Sequence, residues 1–445
     1  MNLFWKRILG QMQSTSKMEA QFAVLNADFR RYVSIEESKE LAEYRELFDK
    51  VKSADFKEKK RVLVNRKYKD TQEYRDMRKF EKLNGDRKIA LYYETLQNPL
   101  LAEYLEFRKR PEYMLLSKSN EVKKNPDLQR LKKFERSKEY KNYMRFHNSY
   151  VIKELESLRE KVTTPEFQAA NAFWSDPCRW DKTDEAALEK RFNELAENED
   201  IKFYEKTDGN KFARLRLYQQ TFHDSFDWNS LNASRWESGF NYPSDKFVGN
   251  HSFTNEKQAN NNGDNVSVYG GELSIYTRKE RKLALAWDKV RGFVNHQFEY
   301  TSDVLHGTKG VCQKEGYFRA KIRFEGKGLT QAFWLTGEHI LPHINIAVCD
   351  GKSIEVGTHW ATKFEKKYTS TRITGLKLNE YYIYSLEWTA KELIWRINNI
   401  EVFRTTEGVP TEPLFPMLSA FIAQNQKGGE GVMQVDWIEA WCACK

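Results

Sequence analysis

Two patterns of apolar and polar residues divide the chain near residue 220. From Ser34 to about Tyr218 the apolar residues recur at intervals of three and four, as in Leu41, Tyr44 and Phe48. That spacing places them on one face of a helix and predicts a run of amphipathic helices. After Tyr218 apolar and polar residues alternate. This alternation predicts β-strands, because successive side chains of a strand point to opposite faces.

The predicted helices begin at recurring capping signals. A side chain that accepts backbone hydrogen bonds comes directly before a proline in Asn98-Pro99, Asn125-Pro126 and Thr164-Pro165, which is typical of a helix start. Similar signals begin at Ser38 and Asp70, so several starts lie about 27–32 residues apart. This period predicts a repeat-like array of short helices, in which neighbours stack and bury aromatic stripes.

The second half contains many short strand segments separated by glycine and asparagine turns. Residues 266–269 and 273–276 flank Gly270-Gly271, which indicates a hairpin with a tight turn. Further segments with strand character are 317–324, 344–348, 382–388, 393–397 and 432–438. So many strands without an intervening helical run predict a two-sheet sandwich or jelly roll.

These patterns predict a multidomain α + β protein. Residues 34–217 form a helical repeat-like domain, and residues 218–445 form an all-β jelly roll. Residues 1–33 are a leader segment. Its apolar residues Phe4, Trp5, Ile8 and Leu9 lie on one helical side, which favours either a short anchor onto a partner or a frayed terminus.

The net charge is concentrated in the first half. Residues 1–220 hold 47 Lys+Arg and 38 Asp+Glu, whereas residues 221–445 hold 26 of each. Within the first half, residues 51–150 hold 27 Lys+Arg against 15 Asp+Glu. A basic cluster is typical of nucleic-acid binding, but these cations alternate with Glu at the helix period, and no nucleic-acid motif accompanies them. The pattern therefore favours a solvated helical surface that docks on a protein partner.

Several classes of protein do not fit the sequence. No window approaches 18 consecutive apolar residues, so no transmembrane helix is predicted. The N-terminus lacks the pattern of a secretory signal peptide, so we expect a cytoplasmic protein or part of a particle, and an extracellular one only after another route of export. The five cysteines have no C-x-x-C spacing, so neither a disulfide framework nor a zinc site is indicated.

The order of segments in the second half is similar to that of a known family. The opening segment 222–236, the hairpin 265–276 and the strand Ala332-Phe-Trp-Leu335 resemble elements of the laminarinase-type jelly rolls of glycoside hydrolase family 16. Further similar segments follow the family's order, at 316–322 before this strand and at 384–389, 394–402 and 433–438 after it. The resemblance covers nearly all of residues 221–445. It implies a concanavalin A-like sandwich with a sugar-binding cleft.

The family's catalytic motif is replaced in this chain. The family carries Glu-x-Asp-x-(x)-Glu on one strand, because a retaining glycosidase needs two carboxyl groups about 5–5.5 Å apart. By the resemblance, the nucleophile, middle and acid/base positions fall on His343, Asn345 and Val348. A glutamate of an earlier family strand falls on Arg319. None of these residues is a carboxylate, which favours a protein without the family's catalytic activity.

Other carboxylates lie close to the motif in sequence. Glu338 precedes it in a predicted loop, and Asp350 and Glu355 follow it. Asp350 is two residues beyond Val348, which keeps it on the same strand face. Glu338 and Asp350 are therefore candidate substitutes for the missing acid groups.

Aromatic and polar residues around the motif indicate carbohydrate binding. The resemblance places Trp334 where the family stacks a sugar, and His359-Trp360 follows the motif strand. Candidates for the rim or floor of the cleft are Tyr317, Arg319 and Trp287. No cofactor is indicated, and His343 with the nearby His339 does not complete the ligand set of a metal site.

Three hypotheses of function follow from the sequence. In the first, a degenerate cleft binds a polysaccharide or oligosaccharide, or serves as a scaffold, while the helical half docks on a protein. In the second, the protein is an active endo-glycosidase of β-glucan or galactan with relocated acid groups. In the third, both halves are parts of a purely structural assembly protein.

Overall fold

The computed structural model of the protein describes residues 1–241 and 249–443. The chain divides into two compact units. One consists of Ser34–Lys206 and is called the helical unit here. The other joins Met1–Val33 to Thr207–Lys445 and is called the jelly-roll unit. The N-terminal residues therefore belong to the same unit as the C-terminal half.

Five of the helices begin at predicted capping residues, whereas the helix predicted to begin at Asp70 is capped by Thr71 instead. The side chains of Ser38, Asn98, Asn125, Ser137 and Thr164 each accept a backbone hydrogen bond from the first turn of a helix. The α-helices are α1 Phe4–Ile8, α2 Thr15–Glu36, α3 Lys39–Lys52, α4 Ala54–Asn65, α5 Gln72–Asn84, α6 Arg87–Leu96, α7 Pro99–Arg108, α8 Ser119–Lys124, α9 Pro126–Glu135, α10 Lys138–Phe146, α11 Tyr150–Thr163, α12 Pro165–Ser175, α13 Asp184–Ala196, α14 Glu199–Lys206 and α15 Ala213–Leu217. Short 3-10 helices cover Tyr68–Asp70, Pro111–Ser117, Trp180–Lys182 and Gly209–Phe212. The predicted helical fold is confirmed.

Within the helical unit, helices that are distant in sequence pack together in nested order. α3 packs against α13, α5 against α11 and α6 against α10. Aromatic rings fill the core, where the buried Tyr104 ring lies 4.7 Å from the Tyr140 ring and its hydroxyl donates to Glu135 at 2.9 Å. The aromatic stripes are buried as the sequence predicts. Their partners lie on distant as well as neighbouring helices, because the chain folds back around α8.

The jelly-roll unit is built from strands, as the alternating pattern predicts. The strands are β1 Tyr218–Asp224, β2 Glu237–Ser238, β3 Ser252–Phe253, β4 Gln258–Asn260, β5 Val266–Tyr269, β6 Glu272–Thr277, β7 Lys282–Asp288, β8 Gly292–Phe298, β9 Tyr300–Ser302, β10 Val304–His306, β11 Gly316–Gly326, β12 Thr330–Thr336, β13 His343–Cys349, β14 Ile354–Ala361, β15 Lys366–Ile373, β16 Tyr382–Trp388, β17 Leu393–Ile397, β18 Ile400–Thr405, β19 Phe415–Phe421 and β20 Gly431–Ala443. The predicted hairpin at Gly270-Gly271 is confirmed, because β5 and β6 pair antiparallel across it.

Two large antiparallel sheets form the sandwich in the described part of this unit. Sheet A has the order β18-β17-β16-β11-β20-β6-β5, and β1 also pairs with β20. Sheet B has the order β15-β14-β13-β12-β19-β10-β2. Side chains from both sheets share one buried core, which includes Phe318 and Trp395 of sheet A and Phe333 and Ile346 of sheet B. This arrangement confirms the predicted jelly-roll fold.

The N-terminal segment packs into the jelly-roll unit. Leu3 and Met12 are buried members of its core. The backbone N–H of Leu3 donates to the carbonyl of Thr374, and the Asn398 side chain donates to the carbonyl of Gln13. The apolar residues of this segment are thus divided between the core and the surface, where Trp5 is exposed.

Over the described ranges, no helix combines the length and the apolar character that crossing a membrane requires. Cys178, Cys312, Cys349 and Cys442 carry free thiols. Cys444 lies outside the described residues.

Candidate functional site

One face of sheet B carries a cavity of about 300 Å³. Side chains of β10, β12, β13, β14 and β19 line it, together with Phe240 and residues from 253 to 260. The lining residues are Phe240, Phe253, Glu256, Gln258, Asn260, Val304, Ala332, Trp334, His343, Asn345, Val348, Glu355, His359, Ser419, Ala420 and Phe421. The cavity therefore joins apolar rings to a small set of polar groups, as ligand sites commonly do.

Strand β13 brings the three positions of the replaced motif into this cavity. His343, Asn345 and Val348 line it, whereas Ile344 and Ile346 between them are buried in the sandwich core. The pairing of β13 with β14 changes register between Asn345 and Val348. Such a bulge adds one residue and keeps Val348 on the cavity side. The structure thus brings together three positions that lack a carboxylate.

A row of rings crosses four neighbouring strands of sheet B. The ring centres of Trp334 and His343 lie 5.6 Å apart, those of His343 and His359 lie 4.4 Å apart, and those of His359 and Tyr368 lie 5.6 Å apart. The Trp334 indole N–H donates to the Ser419 hydroxyl at 3.2 Å. Asn345 Nδ2 lies 3.3 Å from His359 Nε2. These contacts hold the aromatic and polar groups in fixed positions.

Both histidines of the row are neutral at neutral pH. Burial, followed by the nearby His359, lowers the pKa of His343 to about 4. Burial also lowers the pKa of His359, against a smaller opposite effect of Glu355. A neutral imidazole presents one hydrogen-bond donor and one acceptor. The cavity therefore offers uncharged polar partners beside its rings.

Two carboxylates that the resemblance does not assign also line the cavity. Glu256 lies in the loop between β3 and β4, and its Oε2 accepts a hydrogen bond from Gln258 at 2.6 Å. Burial raises the pKa of Glu256 to about 7. Glu355 lies on β14 directly opposite Val348, and its Oε2 is 3.3 Å from Arg372 Nε. Acidic groups are thus present in the cavity, on other elements than the motif strand.

Glu256 is not predicted from the sequence, because its segment has no periodic pattern. β3 and β4 are two and three residues long, and both pair in parallel with strands that follow them in sequence. Glu355 was noted downstream of the motif without a role. The cross-strand register places it in the cavity, and that register follows from the bulge in β13.

The two acid groups that the sequence favoured do not line the cavity. Glu338 is exposed in the loop between β12 and β13. Asp350 lies in the turn after β13, where its carboxylate accepts hydrogen bonds from the backbone N–H groups of Lys352 and Ser353. Asp350 also pairs with Arg372 at 3.0 Å. Strand parity alone suggested Asp350, but β13 ends at Cys349 and the turn redirects the side chain.

Trp360 and Trp287 also lie outside the cavity lining. Trp360 follows His359 on β14 and therefore points to the opposite side of the strand, where its ring packs against Gly408. A Cβ at Gly408 would come within 2.2 Å of that ring. Trp287 lies on β7, in the small sheet β3-β7-β8, with its ring 5.0 Å from the Phe293 ring.

Tyr317 and Arg319 lie on β11 of sheet A, away from Trp334. They line a second cavity of about 400 Å³ beside α2. Arg319 Nε donates to Glu439 at 2.6 Å, and its guanidinium lies 4.1 Å from the Phe22 ring centre and 4.7 Å from that of Trp441. Glu439, the cross-strand partner of Arg319, thus balances the positive charge of this arginine. By the resemblance, the arginine replaces a glutamate of the family. These residues attach α2 to sheet A.

Comparisons with known proteins find solved structures similar to the C-terminal half of the chain. No family model matches the chain, and no curated protein matches it. Solved structures similar to its C-terminal half include the catalytic domain of an endo-1,3-β-glucanase (laminarinase) from Thermotoga petrophila, with 19% identity, 51% of this chain and 99% of that chain covered, and a TM-score of 0.41. An endo-β-1,3-glucanase from Pyrococcus furiosus has 19% identity, with 51% of this chain and 95% of that chain covered and a TM-score of 0.40. A non-specific endo-β-1,3(4)-glucanase of glycoside hydrolase family 16 has 21% identity, with 51% of this chain and 92% of that chain covered and a TM-score of 0.41.

Replacement of Glu256 by glutamine is expected to change how stability depends on pH. Because the pKa of Glu256 is raised to about 7 in the folded protein, its contribution to stability is fully present below the unfolded pKa and is lost as pH rises through about 7. Between about pH 4 and pH 8, the wild type should lose on the order of 2–3 kcal/mol more unfolding free energy than Glu256→Gln. Urea unfolding at both pH values measures this difference. The exposed Glu338→Gln should keep the wild-type dependence, and equal dependence in all three proteins would contradict the environment assigned to Glu256.

Proposed function

We propose that the cavity on sheet B binds carbohydrate. The observation that supports this most is the row of rings, in which Trp334 lies beside neutral histidines and an asparagine within one cavity. A pyranose has C–H faces that pack on an aromatic ring and hydroxyl groups that need donors and acceptors at the edge. Trp334 supplies the ring, and Asn345 and His359 supply uncharged hydrogen-bonding groups.

The proposed ligand is a β-glucan or galactan-like chain. The row of rings extends from β12 to β15, and Tyr368 at its end is 70% exposed. Since neighbouring strands lie about 4.8 Å apart, the row spans three strand spacings and is long enough for more than one sugar unit. An extended chain that crosses the strands fits this surface.

Strand β13 lacks the residues that the double-displacement mechanism of glycoside hydrolase family 16, the family that the chain resembles, requires. That mechanism needs a carboxylate nucleophile and a carboxylic acid, and the side chains at the corresponding positions are His343, Asn345 and Val348. Imidazole, amide and isopropyl groups bind a sugar without carrying out that reaction. Carbohydrate binding is therefore proposed independently of the family's catalytic motif.

A glycan array that includes β-glucans and galactans tests the proposed function, with the full chain as the probe. We expect binding to a defined group of these chains, followed by saturable binding of the same oligosaccharides in calorimetry. Absence of binding to every glycan of the array, by a chain that is shown to be folded, would overturn the proposal.

A further inference from the structure

We propose that Glu256 and Glu355 form an acid–base pair that hydrolyses a glycosidic bond of the chain bound in this cavity. The inference rests on the proposed carbohydrate binding and adds a reaction to it. Neither residue occupies a position of the replaced motif. Glu256 comes from the loop before β4, and Glu355 comes from β14, the strand next to the motif strand.

Short side chains lie beside Glu355 in the cavity. Ala332 of β12, Val348 of β13 and Glu355 of β14 lie side by side in register, and all three line the cavity. The side chains of Ala332 and Val348 are short. Gly357, two residues beyond Glu355, lies where the β15 backbone comes close, because a Cβ there would meet the Thr369 carbonyl oxygen at 2.4 Å. The room for a sugar beside Glu355 is therefore left by Ala332 and Val348.

The loop that carries Glu256 is fixed at several points. The Glu256 N–H donates to the Phe253 carbonyl at 3.0 Å, and the Glu256 carbonyl accepts from the Gln424 side chain at 3.1 Å. The next residue, Lys257, donates from its backbone N–H to the Ile422 carbonyl at 2.9 Å. The Gln258 side chain then orients the carboxyl group itself. These bonds hold Glu256 beside residues 422–424, which directly follow β19, and β19 lies three strands from β14 in sheet B.

The surroundings give the two carboxyl groups different roles. Burial keeps Glu256 protonated up to a pKa of about 7, so it can donate a proton at neutral pH. Arg372 lies beside Glu355 at 3.3 Å and stabilises its negative charge. Two acid groups whose environments differ in this way commonly divide the tasks of acid and base.

The proposed reaction consumes one water molecule. Glu256 donates its proton to the glycosidic oxygen while the bond from that oxygen to the anomeric carbon breaks. Glu355 accepts a proton from water, and the water oxygen forms the new bond to the anomeric carbon. The products are two shorter chains, one with a new reducing end. Proton exchange with solvent then restores the acid Glu256 and the anionic Glu355.

This single displacement inverts the anomeric configuration, because water attacks from the side opposite to the leaving oxygen. The resembling family retains the configuration through its two carboxylates on one strand. The anomeric configuration of the first product therefore distinguishes hydrolysis by Glu256 and Glu355, which inverts it, from the family's mechanism, which retains it.

The pH dependence of hydrolysis should follow Glu256. The titratable groups that share its cavity are His343, His359 and Glu355. Burial lowers the pKa of His343 to about 4, so it stays neutral while Glu256 titrates, and burial also lowers the pKa of His359. We expect the rate to fall as pH rises through about 7, because Glu256 then loses the proton that it must donate.

The test measures release of reducing ends from laminarin, lichenan, agarose and carrageenan by the wild-type chain, Glu256→Gln and Glu355→Gln. We expect the wild type to hydrolyse at least one of these glycans with inversion, which NMR of the first product reveals. Each variant should lose about 100-fold or more of the rate. Binding of the same glycan in calorimetry should be retained, because glutamine preserves the shape of the side chain. Glu338→Gln serves as a matched control outside the cavity and should retain the wild-type rate.

Three outcomes would overturn the inference, and the third would also overturn the proposed function. A wild type that binds a glycan without releasing reducing ends from any of the four substrates would leave carbohydrate binding intact and remove the proposed reaction. Hydrolysis that survives in both variants, or that retains the anomeric configuration, would remove the proposed pair. A folded chain that binds no glycan of the array would overturn the proposed function together with the inference. Circular dichroism confirms that each variant is folded.

Discussion

Replacement of Arg319 by methionine is expected to lower the unfolding free energy of the jelly-roll unit by about 3–5 kcal/mol. The side chains of Arg319 and Glu439 are 11% and 10% exposed, and their ion pair measures 2.6 Å. Methionine keeps much of the apolar stem but leaves the Glu439 charge buried without its guanidinium partner. Phe22 and Trp441 also lose the cation that lies between them. Urea unfolding at neutral pH measures the change.

The pH dependence of this effect identifies its cause. Burial opposes ionisation of Glu439, but the hydrogen bond from His223 and the charge of Arg319 outweigh it and lower the pKa of Glu439. Its contribution to stability is therefore present above the unfolded pKa and is lost as pH falls. The difference between wild type and Arg319→Met should shrink below about pH 4, because Glu439 is then neutral in the variant.

A surface ion pair provides the control for Arg319. Lys377 and Glu380 form a pair at 2.9 Å whose side chains are 60% and 49% exposed. Lys377→Met should change the unfolding free energy by less than about 0.5–1 kcal/mol, because exposed pairs are weak. Equal effects of Arg319→Met and Lys377→Met would show that burial of the Arg319 pair has no energetic role.

Replacement of Trp334 by alanine is expected to weaken glycan binding by about 30-fold or more. A tryptophan in a binding hot spot commonly contributes about 2 kcal/mol or more to the binding free energy, and 1.4 kcal/mol corresponds to a tenfold change in affinity. Calorimetry with the glycan that the wild type binds measures the loss. A circular dichroism spectrum like that of the wild type shows that the variant is folded.

Trp287→Ala is the matched control for Trp334. Both residues are tryptophans on strands, and the sequence assigned both to the cleft. Trp287 lies on β7 and does not line the cavity, so its removal should leave affinity within about twofold, as for residues outside a hot spot. Equal losses in the two variants, or unchanged affinity of Trp334→Ala, would contradict binding over the ring of Trp334.

The fold was predictable because its signals are local. Capping side chains such as Ser38 and Asn125 mark helix starts, and alternation marks the strands. The same alternation predicted that His343 and Asn345 share a face, and the bulge before Val348 completes the set. In each case, neighbours in the sequence determine the local geometry.

The rest of the site depends on contacts between distant segments. Alternation along β11 tells which residues share a face with Arg319, but it does not tell which face of sheet A another element covers. In the structure, Phe22 of α2 covers the face on which Arg319 lies. Glu256 is held at the cavity because its carbonyl accepts from the Gln424 side chain and the N–H of Lys257 donates to the Ile422 carbonyl. The sequence contains no pattern that links positions so far apart. Long-range packing therefore decides which charged groups enter the cavity.

The most direct measurement is a crystal structure of the full chain with the oligosaccharide that binds most tightly on the glycan array. We predict a sugar ring packed on Trp334, with its hydroxyl groups within hydrogen-bond distance of Asn345 and His359. A chain crossing toward Tyr368 would agree with the row of rings. A sugar bound away from sheet B, for example in the cavity beside Trp441 on sheet A, would contradict the assignment of the binding site.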